Sequence, residues 1–248
     1  MIDPWIFPEW PAPSHVHAAV TTRHGPGISA PPFERFNLGR STADSSEAVD
    51  ANRGALVQAL ALPAAPRWLR QVHGVDVAEL GPLPSPDVPQ ADAAVSHLAG
   101  TVLAILTADC LPVLLCNDEG SEIGAAHAGW RGLAAGVLQA TATQLLSPPD
   151  RLMAWLGPCI GAASYEVGEE VRSRFLIIDA GAAECFAPTR PGHWLCDLAA
   201  LARRQLTAAG ITRIYGGGFD TLTDSRFYSY RRDAGRSGRF ASLIWLDP

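Results

Sequence analysis

Short apolar runs separated by turn residues dominate the hydrophobic pattern of this chain. Their length and their content of β-branched and aromatic residues are typical of buried strands. They predict strands at 16–23, 101–107, 111–116, 122–128, 152–158, 211–217 and 239–246. Two further short strands are expected on either side of a turn at His73-Gly74, within the stretch WLRQVHGVDVAEL.

Four stretches instead show helical spacing or helix boundary signals. Ser45 to about Leu60 reads as an amphipathic helix, for which Asp44 and Glu47 fit a capping box. A second helix is expected over 129–146, where Ser147-Pro148-Pro149 ends it. The others are predicted at 169–176 and from a cap at Asp197 to Gly210. Residues 24–39 and 82–90 are expected to be loops.

The order of these elements indicates the fold class. Strands and helices mix along the chain without strict alternation, which does not favour a doubly wound parallel sheet. We therefore predict an α+β fold, with mixed or antiparallel sheets and flanking helices. Residues 1–248 are expected to form a single domain, since 248 residues with 48% hydrophobic content suffice for one large core.

Composition narrows the range of partners. The net charge is −6, and no basic cluster is interleaved with aromatic residues, so nucleic acid is not expected as a partner. The opening MIDPWIFPEW lacks the features of a signal peptide, and no apolar run reaches the roughly 18 residues of a membrane span. Five cysteines without such a signal indicate reduced thiols, and we expect a cytoplasmic protein that does not interact with membranes.

All 19 basic residues are arginine. The absence of lysine excludes a Schiff-base lysine and the lysine of a P-loop. Any phosphate must therefore be held by arginine, by backbone N–H groups or by a metal.

Three chemically active residues are predicted at strand ends. His73 lies at a glycine turn, Cys110 follows an apolar strand, and His127 ends another strand just before Gly129. One thiolate and two imidazoles form a three-ligand zinc set whose fourth position is open to water or substrate, as in catalytic zinc sites. Asp109 or Gln71 is a candidate to orient one of these ligands.

The same residues fit two other interpretations. Cys110 as a nucleophile with His127 as its base would make a cysteine hydrolase, because attack and zinc binding both need the thiolate. Alternatively, Cys110 is a small buried hydrophobe and each histidine is structural.

Three motifs resemble the laccase-domain family, also called the multicopper polyphenol oxidase or purine nucleoside phosphorylase family, which includes the bacterial peptidoglycan-editing factor. They are QVHG (71–74), TADCLPVLL (107–115) and HAGWRG (127–132). Weaker matches spread the resemblance over nearly the whole chain, at TTRHG, FNLG, LGPCIG, YEVG and FYSYRRD.

The resemblance implies that His73, Cys110 and His127 bind a metal, usually zinc and possibly copper, and act in catalysis. It implies adenosine deamination and phosphorolysis of adenosine, inosine and methylthioadenosine, with purine nucleoside and phosphate as small-molecule substrates. Copper-dependent phenol oxidation is also associated with the family. The implied fold is α+β and related to cysteine hydrolases, so an amide hydrolase that edits peptidoglycan precursors through Cys110 or the metal stays open.

Two features bear on the oxidase alternative. Family members often carry a cysteine before the threonine where this chain has Asp220-Thr221. The other five of the seven histidines form no clear second cluster, whereas multicopper oxidases hold several coppers with many histidines. A single Cys-His-His site suits zinc.

Phosphate and purine contacts are predicted less directly. Arg40, in a glycine-bounded loop, is our predicted substrate contact, while Arg131, Arg236 and Arg239 are further candidates. Trp130 is either a purine-stacking ring or, more commonly for such residues, part of the core. The functions that remain are a zinc-dependent purine nucleoside enzyme, an amide hydrolase and a protein with a structural zinc.

Overall fold

Secondary structure alternates irregularly between strands and short helices in the computed structural model, which describes residues 3–83 and 87–248. The strands are β1 (Trp5–Ile6), β2 (Val16–Thr21), β3 (Val77–Glu79), β4 (Ala93–Ser96), β5 (Val102–Thr107), β6 (Leu111–Asn117), β7 (Ile123–Ala128), β8 (Leu152–Leu156), β9 (Glu166–Gly168), β10 (Phe186–Pro188), β11 (His193–Cys196), β12 (Arg213–Gly216) and β13 (Phe240–Leu246). The helices are α1 (Ser46–Ala59), α2 (Trp130–Ala135), α3 (Val137–Gln144), α4 (Glu169–Ile178) and α5 (Leu198–Ala208).

The strands form three sheets. The first, with order β1-β2-β13-β5, is antiparallel throughout. The second has six strands in the order β12-β8-β6-β7-β4-β3 and is mixed, because the outer pairs β12-β8 and β3-β4 are parallel. A small antiparallel sheet, β10-β11-β9, completes the set.

The two larger sheets pack face to face, and strand periodicity decides which side chains lie between them. Along β6, Leu114 and Cys116 belong to the core between the sheets, together with Ile105 and Ile244 from the four-stranded sheet. The alternate positions of β6 face the opposite way, towards α2, α3 and α5. The six-stranded sheet is therefore buried on both faces.

Helix α1 covers the outer face of the four-stranded sheet, where Leu56 packs with Phe36 and with alternate residues of β13. The result is a layered arrangement of helix, sheet, sheet and helices. This is a single compact α+β domain with mixed and antiparallel sheets, so the predicted fold class is confirmed. No helix of the described part of the chain is both long and apolar enough to span a bilayer.

The predicted helices differ from the observed ones in two details. Gly136, with φ of 98°, divides the expected helix over 129–146 into α2 and α3. The N-cap of α1 is Ser45 rather than Asp44, because the Ser45 hydroxyl accepts the Ala48 N–H at 3.1 Å. Asp44 instead accepts hydrogen bonds from Ser29 and Asn37.

The predicted strands all occur, with shorter bounds at some ends, except for the strand before His73. There the chain makes only single bridges, at Arg67 and Arg70. The strands β1, β4, β9, β10 and β11 were not predicted. Of the predicted loop over 82–90, residues 84–86 lie outside the described part of the chain.

Candidate metal and active site

Three loop and strand ends bring His73, Cys110 and His127 together. His73 lies in the turn before β3, Cys110 between β5 and β6, and His127 one residue before the end of β7. Their ligand atoms all lie within 4.8 Å of one another. The His73 Nε2 is 3.8 Å from the Cys110 Sγ, and the two imidazole rings stand edge to face with centroids 4.7 Å apart. The structure thus places these side chains next to each other, as the sequence predicts.

A fourth residue, Asp92, fixes the positions of both histidines, and sequence reasoning missed it. Its fully buried carboxylate accepts the His127 Nδ1–H at 2.8 Å. The same carboxylate accepts three consecutive backbone N–H groups, from Val72, His73 and Gly74. These bonds hold the turn in which His73 has a positive φ of 61°. The only sequence signal was an acidic residue at the start of an otherwise apolar stretch.

Gly129 provides the space in which the three side chains meet. A Cβ at this position would lie 2.9 Å from the Cys110 Sγ and 3.0 Å from the His73 Cδ2. Such approaches are shorter than van der Waals contact, so any larger side chain would displace a ligand atom. Glycine at the start of α2 is therefore a requirement of the site.

The electrostatics of the site favour a thiolate. Burial on its own raises the pKa of Cys110, but the charge and hydrogen bonds of His127 and His73 outweigh it and lower the pKa to about 6. Burial likewise opposes the charge on His127, and the Cys110 thiolate and Asp92 outweigh it to raise the pKa of His127 to about 9. The Cys110 thiolate and the His127 imidazolium therefore stabilise each other.

Zinc fits this donor set. Tetrahedral zinc, with Zn–S of about 2.3 Å and Zn–N of about 2.0 Å, places sulfur and nitrogen ligands roughly 3.6 Å apart. The 3.8 Å between Cys110 and His73 is close to that spacing. The bond from Nδ1 of His127 to Asp92 leaves its Nε2 to face a metal, as in carboxylate–histidine–metal arrangements.

Asp109 and Gln71, the sequence candidates for orienting a ligand, make other contacts. Asp109 accepts the Thr221 hydroxyl at 2.6 Å and the Arg231 N–H at 2.7 Å, and so ties the Cys110 loop to the C-terminal loops. Gln71 exchanges two hydrogen bonds with the backbone of Leu106. Both support the walls of the site rather than an imidazole ring.

A cavity of about 820 Å³ opens onto the His-Cys-His group. Its walls include four aromatic side chains, those of Trp68, Trp130, Tyr165 and Tyr230. They also include six arginines, Arg40, Arg53, Arg70, Arg131, Arg231 and Arg239, against the single carboxylate of Asp109. The cavity therefore combines flat apolar surfaces with a positive electrostatic potential.

Other residues singled out in the sequence differ in how they contribute to this cavity. Arg40 lies in its wall, but its exposed guanidinium pairs with Asp50 at 2.5 Å. Trp130 lines the cavity and also packs against the core, so both predicted environments apply. Cys159, in the LGPCIG motif, is buried, and burial raises the pKa of its thiol, as is typical of a structural cysteine.

The layered α+β domain, with a His-Cys-His group facing a cavity rich in arginine and aromatic residues, defines a candidate metalloenzyme. Residues 17–247 match the family model described as multi-copper polyphenol oxidoreductase laccase. The chain belongs to this laccase-like family, which confirms the resemblance drawn from its motifs.

Similar proteins in this family cover almost the full length of the chain. A protein of Xylella fastidiosa named purine nucleoside phosphorylase is 52% identical, over 98% of this chain and 97% of its own. Purine nucleoside phosphorylase YfiH of Escherichia coli is 47% identical, over 97% and 98%. A crystal structure from Neisseria meningitidis is 42% identical with a TM-score of 0.93, over 99% of this chain and 100% of that one. YlmD of Geobacillus stearothermophilus is 30% identical with a TM-score of 0.89, over 100% and 98%.

Proposed function

We propose that this protein is a zinc-dependent purine nucleoside enzyme that cleaves adenosine, inosine and methylthioadenosine with phosphate and deaminates adenosine. The observation that carries the proposal is the cavity, in which the His-Cys-His group, aromatic rings and arginines line one space. The names of relatives at 47–52% identity support the phosphorylase activity.

In this proposal His73, Cys110 and His127 hold the metal and are the catalytic group. Zinc bound there would act as a Lewis acid towards an oxygen atom in its open coordination position. Asp92 keeps the His127 imidazole in the orientation and tautomer that present Nε2. One three-ligand group of His, Cys, Asp or Glu occurs among the described residues, which favours a single zinc over several coppers.

The substrate contacts follow from the chemistry of the walls. The ring of Trp130 offers a flat face for the purine. In phosphorolysis a phosphate oxygen bonds to the ribose C1′ while the bond from C1′ to the purine breaks, and the purine leaves with the electron pair and a proton. Arginines in the wall, including Arg40, would attract the phosphate.

The test is incubation of the purified protein with adenosine, with and without phosphate, followed by chromatography with mass detection. We expect adenine and ribose 1-phosphate when phosphate is present, and inosine in either condition. Cys110→Ala should abolish both products together with stoichiometric metal. Product formation by metal-free Cys110→Ala would contradict the proposal. If the rate of Arg40→Ala depends on phosphate as that of the wild type does, Arg40 is not part of the substrate site.

A second candidate function, an amide hydrolase, is favoured by one specific observation. Cys110, His127 and Asp92 are connected in the order nucleophile, base and orienting carboxylate, and the pKa of Cys110 is lowered to about 6. In this case the protein would cleave peptidoglycan precursors after removal of the metal by a chelator, and alkylation of Cys110 would stop cleavage. Metal-free protein that cleaves no such amide would eliminate a hydrolase that uses Cys110 as its nucleophile.

A further inference from the structure

Five of the six cavity arginines form no ion pair with a described carboxylate, and Arg53 and Arg239 are the two of these five that are not exposed. Both Arg53 and Arg239 are half-buried. Within residues 3–83 and 87–248, no carboxylate lies within the 4.0 Å ion-pair distance of either guanidinium. Arg40, which lies nearby, differs because it is exposed and paired with Asp50.

Arg53 is held rigidly by its surroundings. Its guanidinium lies over the Trp68 ring at 4.0 Å from the centroid, and its Nε and Nη2 donate to the Leu38 carbonyl at 3.0 and 2.7 Å. Its Nη1 makes no hydrogen bond to any described residue. The preceding residue, Asn52, is buried and bonds to the Ser29 hydroxyl and the Asn37 carbonyl, which fixes α1 against this loop.

Arg239 approaches the same loop from the start of β13. Its N–H donates to the Asn37 side chain at 2.8 Å, and its carbonyl accepts the Leu38 N–H at 3.0 Å. The side chain crosses Gly39 so closely that a Cβ there would lie 2.7 Å from the Arg239 Cγ. Nη1 donates to the carbonyls of Ser237 and Gly238, while Nε and Nη2 make no hydrogen bond to a described residue.

The positive charges of these two arginines are stabilised poorly in the free protein. Burial and repulsion from Arg40 lower the pKa of Arg53 to about 10, which still leaves it protonated at neutral pH. Burial lowers the pKa of Arg239 as well. A bound anion would relieve this cost, and guanidinium groups with free N–H donors bind phosphate oxygens in a fixed geometry.

We propose that Arg53 and Arg239 form the anion subsite of the cavity and hold the inorganic phosphate that attacks the nucleoside. This assignment rests on the proposed phosphorolysis. The hydrogenphosphate oxygen forms the bond to C1′, the bond from C1′ to the purine nitrogen breaks, and the proton of hydrogenphosphate passes to that nitrogen. Arg40, whose guanidinium is engaged by Asp50, contributes less.

The kinetic test compares Arg53→Gln and Arg239→Gln with the wild-type protein at saturating inosine. Each substitution removes charge-assisted hydrogen bonds, so KM for phosphate should rise by about tenfold or more. KM for inosine and the phosphate-independent deamination of adenosine should change by less than about twofold. The lysine variants should recover part of the phosphate affinity, since they restore the charge but not the planar fork.

Arg151→Gln serves as the matched control, because Arg151 is a surface residue paired with Asp118 and Glu119. Its KM for phosphate should equal that of the wild type. If Arg40→Gln raises KM for phosphate more than either Arg53→Gln or Arg239→Gln, the assignment is wrong.

A binding measurement separates this assignment from the proposed activity. Titration calorimetry with inorganic phosphate on metal-loaded protein needs no turnover, so it tests the subsite even if phosphorolysis is absent. We expect phosphate affinity to fall in Arg53→Gln and Arg239→Gln, and to fall less in Arg53→Lys and Arg239→Lys, which keep the positive charge but lose the planar fork of N–H donors. Phosphate affinity that persists in these variants and disappears in Cys110→Ser would place the phosphate on the metal and overturn the assignment.

Discussion

Asp92 shows how one side chain can determine the geometry of a whole site. Its carboxylate joins two segments that are distant in sequence, since it bonds to the turn at 72–74 and to the His127 imidazole. Burial opposes ionisation of Asp92, but the hydrogen bonds of His127, Gly74 and Val72 outweigh it and lower its pKa to about 2. The site therefore contains a permanent negative charge at neutral pH.

Asp92→Asn should weaken metal binding about 10- to 100-fold, since the loss of a carboxylate behind a ligating histidine has effects of this size. Competition with a chromophoric chelator would measure the change. The matched control is Asp76→Asn, an exposed carboxylate with no side-chain hydrogen bond to a described residue. Equal zinc affinity in both variants would mean that Asp92 has no effect on the ligand.

The same residue predicts a pH dependence of stability. The folded-state pKa of about 2 lies below the value of about 3.9 for an unfolded aspartate, so ionised Asp92 stabilises the metal-free fold above pH 4. This contribution, roughly 2 kcal/mol, should disappear as the pH falls towards 2. Urea unfolding of the metal-free wild type and Asp92→Asn should thus show a difference at pH 6 that shrinks at pH 3. A constant difference would contradict the assigned pKa.

At this scale the sequence predicted the members of the His-Cys-His group better than the residue that positions them. His73, Cys110 and His127 were identifiable because each stands at the end of an apolar stretch beside small residues. Asp92 was not, because its role depends on a turn that approaches it from another part of the chain. The same holds for Arg53, which appears in sequence as one more polar residue of an amphipathic helix.

At the scale of elements, the start of helix α2 contributes directly to the geometry of the site. Gly129 precedes α2, and the absence of a side chain there lets the Cys110 Sγ and the His73 ring approach each other. Gly54, within α1, has no atom within 4 Å of the position a Cβ would take. A side chain would therefore clash with the site at Gly129 but would be accommodated at Gly54, although both glycines belong to helical segments.

Gly129→Ala should lose stoichiometric metal and turnover, because the added methyl group would overlap the ligand atoms. Gly54→Ala should keep the metal and stabilise the protein by about 0.5–1 kcal/mol, since alanine has the higher helix propensity. Metal analysis and thermal unfolding of both variants provide the comparison. Full metal occupancy in Gly129→Ala would show that the site tolerates the methyl group.

The elements most accessible to sequence reasoning were those with a strong local signal. β6 and β7 are buried throughout and mostly apolar, and Asp197 caps α5 as predicted, with its side chain accepting the Ala200 N–H. The break at Gly136 and the small sheet β10-β11-β9 have no comparable signal. Their formation depends on packing against other layers, which the local pattern does not contain.

The net charge of the whole molecule is opposite in sign to the charge of its cavity wall. The chain carries a net charge of −6, whereas the cavity wall has six arginines and one carboxylate. An anionic substrate therefore meets repulsion at long range and attraction inside the cavity. The balance between the two determines how binding responds to ionic strength.

We expect KM for phosphate to rise with added salt, because the local arginines dominate within a Debye length of about 10 Å at 0.1 M. KM for the uncharged inosine should stay nearly constant. The Arg53→Gln/Arg239→Gln double variant should show a weaker salt dependence of KM for phosphate. A fall of KM with salt in the wild type would mean that the net negative charge controls phosphate access.

The position of β13 determines when the four-stranded sheet can form during synthesis of the chain. This strand, the last of the described chain, lies between β2 and β5 and so joins the N-terminal strands β1 and β2 to β5, the strand at the opposite edge of the four-stranded sheet. On the ribosome, the edges of β2 and β5 remain unpaired until residues 240–246 have emerged. Arg239 reaches the cavity only then. A product of premature termination would therefore lack both a closed sheet and a complete site, and its unpaired edges would mark it for chaperones or proteases.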